Sequence, residues 1–435
     1  MLRISRWLLL GVCLAAGLGV QGTWADEAAL RVSGELGEHD WPWWRGPSRQ
    51  GWAASQRVPT HFSDSQNVLW KAPVPGRGHS SAIVVQDSVF LTTADEALQE
   101  QSVLAYDLGT GKQRWQQAIS HGGFPANNHR KNSEATPTIA SDGQRLFITF
   151  YHHERIELTV LDLQGAELWR QEVGPFNPKM YEFGYAPSPV LYANSVIVVA
   201  EQDGQPEVAG DSYIAAFERA SGRPLWRTQR AKSISFSTPV VAQVAGREQL
   251  LLSGQDKVSS YDPSTGQLLW EAEGTTAATC GTIVWDEQLV FASGGFPKAE
   301  TLGVRADGSG AVVWRNNQKM YEQSLILVDG YLYALTDKGV LYCWRASDGR
   351  EMWRERLSGP VSASAVYVGG YVYWANEAGT YYVFRPNAEK FQLVAENRVG
   401  EEAFASPAIA GNRLLLRTAH GKGPDRQEFL YCIGE

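Results

Sequence analysis

The sequence predicts an all-β chain folded as an eight-bladed β-propeller. Each blade is a four-stranded antiparallel sheet, and the N-terminal strand joins the C-terminal blade to close the ring. Three observations predict it. A turn followed by a tryptophan recurs along the chain. Short apolar strands fill each interval between recurrences. The two ends carry complementary parts of one unit.

The clearest copy of the turn is AYDLGTGKQRW, Ala105 to Trp115. Asp107 can hydrogen-bond the backbone that follows it, as Asp does at turn starts. Gly111 can take the positive φ of a tight hairpin. Trp115 then points back into whatever the hairpin packs on. SYDPSTGQLLW repeats the pattern with Asp262, Gly266 and Trp270. Further cycles end on Trp169, Trp226, Trp314 and Trp353. Starting from Trp70, the steps between tryptophans are 45, 54, 57, 44, 44 and 39 residues. A repeat of about 40–45 residues with four strands is the period of a propeller blade. The two long cycles hold their excess in loops.

A further cycle, SASAVYV, YVYWAN and YYVFRPNAEKFQLV, reads with Phe391 in the tryptophan's place. The C-terminal SPAIAG, LLLRTA and FLYCIGE are three strands without a fourth. Asn67–Val74, NVLWKAPV, is a fourth strand with nothing before it. Joining them completes an eighth blade and removes the exposed edges of an open sheet. The tryptophans are expected where neighbouring blades meet, as docking residues rather than ligands.

Composition narrows the partners. The 435 residues include 39 Lys+Arg against 47 Asp+Glu, a net charge of −8. No basic block appears, so nucleic-acid binding is not expected. Residues 1–25 read as a signal peptide: Arg3 and Arg6, then the apolar run Trp7–Val20, then Thr23-Trp24-Ala25 with cleavage after Ala25. Cys13 lies inside the apolar run behind Val12, a poor lipidation site. Residues 26–66 read as an arm and 67–435 as the propeller. Within the arm, WPWWRGPSRQGW (Trp41–Trp52) is too rich in Trp and Pro for a regular strand or helix. It reads as a strap packed on the body, because exposed indoles are costly.

Cys280, Cys343 and Cys432 read as small buried hydrophobes inside strands. No zinc spacing occurs, and no metal site is expected. His152 and His153 are adjacent, and strand alternation would point them opposite ways, against a shared metal.

Candidate binding residues fall in the loops that enter each inner strand and in the loops between second and third strands, which share one face of a propeller. Ile119–Glu134 carries His121, His129, Arg130, Lys131, Asn132 and Glu134. Gly174–Tyr185 carries Lys179, Tyr181 and Glu182 in a KMYE stretch, repeated at Lys319, Tyr321 and Glu322. His79 in GRGHSS and His420 in RTAHGKGPDRQE complete the set. These loops predict a ligand or partner surface around the channel mouth.

AYDLGTGKQRW and SYDPSTGQLLW resemble the A-x-D-x-x-T-G-x-x-x-W docking motif of the pyrroloquinoline-quinone (PQQ) repeat. AFERASGRPLW and VLDLQGAELW are degraded copies. Over about residues 41–435 the chain is similar to the PQQ-like propeller family related to the BamB-type outer-membrane assembly protein. WPWWRGP, LWKAPVPGRGHSS, HRKNSEATPT and the LLLRT…LYCI ending resemble its planctomycete-type secreted members. The resemblance implies an exported, non-catalytic, protein-binding scaffold in the periplasm or cell envelope, extending to outer-membrane protein assembly. It also implies envelope or outer-membrane proteins as partners, a monomer, and room for peripheral membrane association. The alternatives are a PQQ-dependent alcohol or sugar dehydrogenase and a propeller binding polysaccharide or small ligands. The dehydrogenases hold PQQ with calcium between a Trp and a vicinal disulfide, beside an Asp base. This chain has no Cys-Cys pair, so neither PQQ nor calcium is expected, and no catalytic residue is assigned.

Overall fold

The computed structural model describes residues 36–53, 57–129, 131–180, 183–203, 205 and 210–435. The export segment with its cleavage point, together with Arg130, Tyr181 and Glu182, lies outside the described residues.

The described strands form eight four-stranded sheets. Blades 1 to 7 span residues 83–121, 140–175, 190–230, 240–273, 284–316, 326–356 and 366–398. In each, successive strands are antiparallel neighbours, with the first innermost and the fourth outermost. Blade 8 takes three strands from residues 408–433 and its outer strand from Val68–Val74. That strand pairs antiparallel with Gln427–Ile433, matching Trp70 with Cys432 and Ala72 with Leu430. The two ends of the chain therefore close the ring.

Burial explains the strand patterns. Middle strands such as Ser195–Ala200 (SVIVVA) are buried along their whole length, and so read as unbroken apolar runs. Outer strands such as Gln113–His121 keep most of their side chains partly or fully in solvent, so polar residues are tolerated there.

The tryptophans lie against the last turn of the next blade. Each outer strand bulges where its tryptophan sits, as between Ala105 and Tyr106 opposite Trp115, which twists the strand and aims the indole at the next blade. There the indole N–H of Trp70, Trp115, Trp169, Trp314 and Trp353 donates to a carbonyl in the next blade's last turn, whereas that of Trp270 donates to Gln249 Oε1 of its own blade. Trp70 reaches Leu108 at 2.9 Å, Trp314 reaches Ala346 at 2.7 Å, and Trp353 reaches Asn387 at 2.8 Å. The turn glycine makes room for the ring. Gly111 has φ +69°, and a Cβ there would come within 2.5 Å of Trp70. Gly165, Gly222 and Gly266 stand in the same relation to Trp115, Trp169 and Trp226.

Blade 7 corrects one expectation. By register the tryptophan's place is taken by Ala395, which pairs with Val383 just as Trp353 pairs with Cys343. Phe391 instead occupies the glycine's position and packs on Trp353 of the preceding blade, ring centroids 5.9 Å apart. The reason lies in the closure. Blade 8 draws its third and fourth strands from opposite ends of the chain, so no turn joins them and an indole from blade 7 would have nothing to dock on. The arm covers that junction: Asn397 accepts the Phe62 backbone N–H at 2.9 Å and donates to the Thr60 carbonyl at 2.9 Å.

Candidate functional site

The site is built around the ring axis. Every inner strand is preceded, two residues before its first residue, by a serine or threonine: Ser81, Thr138, Ser188, Thr238, Thr282, Ser324, Ser364 and Ser406. They form a belt. The backbone N–H of one donates to the hydroxyl of the next blade's residue, from Ser81 to Thr138, Thr138 to Ser188 and Ser188 to Thr238, each at 3.0 Å. The same bond runs from Thr282 through Ser324 and Ser364 to Ser406 at 2.8–3.0 Å. These side chains belong to the segments that enter the ring, where no sheet partner exists for the backbone donors, and the hydroxyls satisfy them.

Below the belt, on the side of the turns between first and second strands, the Trp-rich segment closes the axis. Trp41 exchanges both backbone hydrogen bonds with Val84 of blade 1 at 2.9 Å. Pro42 accepts from Ser141 of blade 2. Arg49 donates to the Leu191 carbonyl of blade 3 at 2.7 Å, and its guanidinium lies 4.5 Å over the Trp43 ring. Trp44 donates to Thr282 Oγ1 at 2.8 Å, Arg45 to the Leu325 carbonyl at 2.9 Å, and Trp52 to the Leu327 carbonyl at 2.8 Å. Gly51 and Ala53 bond Tyr367 of blade 7. Trp41 and Trp43 are 2% exposed, so the segment is a stopper seated in the axis rather than a strap over the outside. Gly46 permits its tight turn, since a Cβ there would strike the Trp41 ring at 2.4 Å.

Above the belt lies a cavity of about 1070 Å³, counting its open mouth. Its floor is Trp44. Its walls are the residues two positions before the belt in each blade, where the extended backbone again points inward: His79, Thr136, Ala186, Phe236, Cys280, Glu322, Ser362 and Phe404. The loop before blade 2 adds His129, Lys131 and Asn132, and the loop before blade 3 adds Phe183.

Charge in this cavity is largely cancelled. Lys131 Nζ meets Glu377 Oε1 of blade 7 at 2.6 Å, which also accepts from Ser362 Oγ at 2.6 Å. Burial pushes Glu322 above the usual carboxyl range, against the pull of Ser362 and Lys131. Burial, with Arg77, Arg417 and Arg426 nearby, drives His79 well below the usual imidazole range, and its buried Nε2 has no hydrogen-bond partner. Behind the wall, burial lifts Glu134 to about 7, although Asn128 donates to it.

Of the residues singled out in the sequence, His79, His129, Lys131, Asn132, Tyr321 and Glu322 line this cavity. His121 lies outside it, exposed, with Nδ1 3.7 Å from Glu100. Lys179 donates to Asn177 and Lys319 to the Gly295 carbonyl, so the two lysines have different partners. His420 is tied to the Tyr431 hydroxyl at 2.7 Å and faces Asp64 at 3.4 Å.

Two expectations fail. Cys280 is in no strand; it lines the cavity, whereas Cys343 and Cys432 are buried in strands. His152 and His153 do not point apart, because His153 has φ +49° and the strand ends there, bringing their Nδ1 atoms to 2.9 Å. Among the described residues no three His, Cys, Asp or Glu side chains gather as metal ligands. Sequence reading missed the belt and the aromatic wall of Phe183, Phe236 and Phe404. The signal for both was present: a Ser or Thr opens each inner strand, and the residue two before it faces the axis.

A model of the family described as Outer membrane protein assembly factor BamB matches residues 99–296 and 298–423. The chain belongs to this family. A curated relative, the outer membrane protein assembly factor BamB of Burkholderia pseudomallei, is 22% identical over 391 residues, covering 76% of this chain and 92% of that one. Among solved structures, BamB from Moraxella catarrhalis matches with a TM-score of 0.56 at 14% identity, over 84% of this chain and 96% of that one. The quinohemoprotein alcohol dehydrogenase of Comamonas testosteroni matches with a TM-score of 0.65 at 12% identity, over 94% of this chain and 84% of that one. A europium-containing methanol dehydrogenase gives 0.65 at 10% identity, over 94% and 100%. At these identities the structural likenesses establish the fold alone.

Proposed function

We propose that this chain is an exported, non-catalytic propeller that acts as a protein-binding scaffold of the cell envelope, in the assembly of outer-membrane proteins. The observation that carries this reading is the family match along residues 99–423, combined with a ring whose lower axis is closed by its own arm. The upper face, where the cavity opens, offers its longer loops to a partner, around His121–Glu134 and Gly174–Tyr185. The relatives named as assembly factors supply the class of partner, envelope and outer-membrane proteins.

The dehydrogenase reading meets a chemical obstacle. PQQ is a tricarboxylate and would need cations along the cavity and carboxylates for its metal. The wall instead holds hydroxyls, phenylalanines, a neutral His79 and one carboxyl, Glu322, and Lys131 is already paired with Glu377. These residues do not fit that group.

Affinity capture from envelope extracts tests the scaffold. The intact protein is expected to retain outer-membrane proteins, and a variant with the exposed side chains of the upper loops changed to Ser is expected to lose them. Equal capture by both would overturn the reading. So would dye-linked alcohol or sugar oxidation by protein supplied with PQQ and Ca²⁺.

A further inference from the structure

The upper cavity has a chemistry of its own, independent of the scaffold. It is closed below by Trp44 and walled by two aromatic patches. His79 of blade 1 stacks on Phe404 of blade 8, ring centroids 4.5 Å apart and planes 21° from parallel. Phe236 of blade 4 meets Phe183 at 5.7 Å. In an eight-membered ring, the seam between blades 8 and 1 lies across the axis from blades 4 and 5. The two patches therefore face each other over the cavity, as the walls of a slot for a flat ring would.

The base of the slot offers donors. Thr138, Ser188, Thr238, Ser364 and Ser406 each already accept a backbone N–H, and Thr282 accepts the Trp44 indole. An oxygen so engaged keeps its own O–H to give, and these six residues border the cavity. A ligand meeting them gains from presenting acceptors.

Charge decides the rest. Among the described residues the one lysine on the wall is ion-paired at 2.6 Å, so a carboxylate ligand would lose its hydration and find no free lysine there. Glu322, Glu377 and Lys131 form one network, and an added anion would sit against its two carboxyls.

We propose that the axial cavity is a binding site for a small uncharged aromatic molecule that carries hydrogen-bond acceptors, about the size of two fused rings. Its flat face lies between the His79–Phe404 pair and Phe236, and its acceptors point down to the hydroxyl belt.

Calorimetric titration of the full-length protein with coumarin, an uncharged bicyclic lactone, tests this. Coumarin is expected to bind with a Kd below about 1 mM, at least about tenfold tighter than coumarin-3-carboxylate, and glucose is expected to give no heat. Ala186→Trp fills the cavity and should weaken coumarin by about tenfold or more. Phe404→Leu removes one wall with little change of volume, and serves if the larger substitution unfolds the chain. No coumarin binding, a carboxylate that binds as tightly, or unchanged affinity in the folded variants would overturn the proposal. Binding of glucose in coumarin's place would assign the cavity to saccharides instead.

Discussion

The two faces of this ring are held by different chemistry. On the lower face, indoles and guanidinium groups bond backbone carbonyls: Trp70 to Leu108, Trp314 to Ala346, Arg45 to Leu325, Arg49 to Leu191. A carbonyl is present whatever residue carries it, so these contacts tolerate sequence change in their partners. On the upper face, side chain meets side chain: Lys131 with Glu377, Asn128 with Glu134, Thr136 with Asn132. Such contacts hold only while both residues are kept. The lower face is thus suited to holding the ring, and the upper to telling ligands or partners apart.

The comparison can be broken by substitution. The largest effect is expected from removing residues 427–435, which deletes the strand that pairs with Val68–Val74. Thermal unfolding should lose its single cooperative transition. Trp314→Ala on the lower face should destabilise by about 3–5 kcal/mol in denaturant titration, because a large buried ring leaves a hole. Arg45→Met removes charged donors from the Gln50 and Leu325 carbonyls and should cost about 2–3 kcal/mol. If either costs less than 1 kcal/mol, the lower face is not what holds the ring.

Upper-face changes should be milder. Glu134 is lifted by burial chiefly, with Glu96 adding and Asn128 and Arg77 opposing. Its carboxyl therefore binds a proton more tightly folded than unfolded. Its contribution is intact below about 4.5 and is lost as pH rises through about 7. Glu134→Gln should leave stability unchanged near pH 4 and raise it at pH 8, flattening the dependence of unfolding midpoint on pH between those values. Replacing the whole Lys131–Glu377 pair, as Lys131→Met with Glu377→Gln, should move stability by no more than about 1 kcal/mol, because neither charge is left unpaired.

The repeat made the fold legible: the spacing of Trp70 through Trp353 counted the blades, and the incomplete ends located the closure. Blade 7 was misread because Phe391 is aromatic and close to the expected spacing. Only strand register, set by bulges that composition does not reveal, puts Ala395 there instead. The arm's indoles were readable as buried, but its seat in the axis depends on backbone and side-chain partners from six blades, four of them giving carbonyls, which sequence cannot place together. Loop residues such as His129, Lys131 and Asn132 stood out by polarity. Phe236, Cys280 and Phe404 did not, because an apolar residue just ahead of a propeller strand looks the same whether it faces a sheet or a cavity.

The closing blade also sets an order of events during synthesis. Val68–Val74 leaves the ribosome about 350 residues ahead of its partner Gln427–Ile433. The arm must likewise wait for Leu191, Leu325 and Tyr367 before it can take its seat. Pairings so distant along the chain form late. The nascent protein therefore carries an unpaired strand and four tryptophans of its arm until those partners are made, a long interval in which a holdase could bind it.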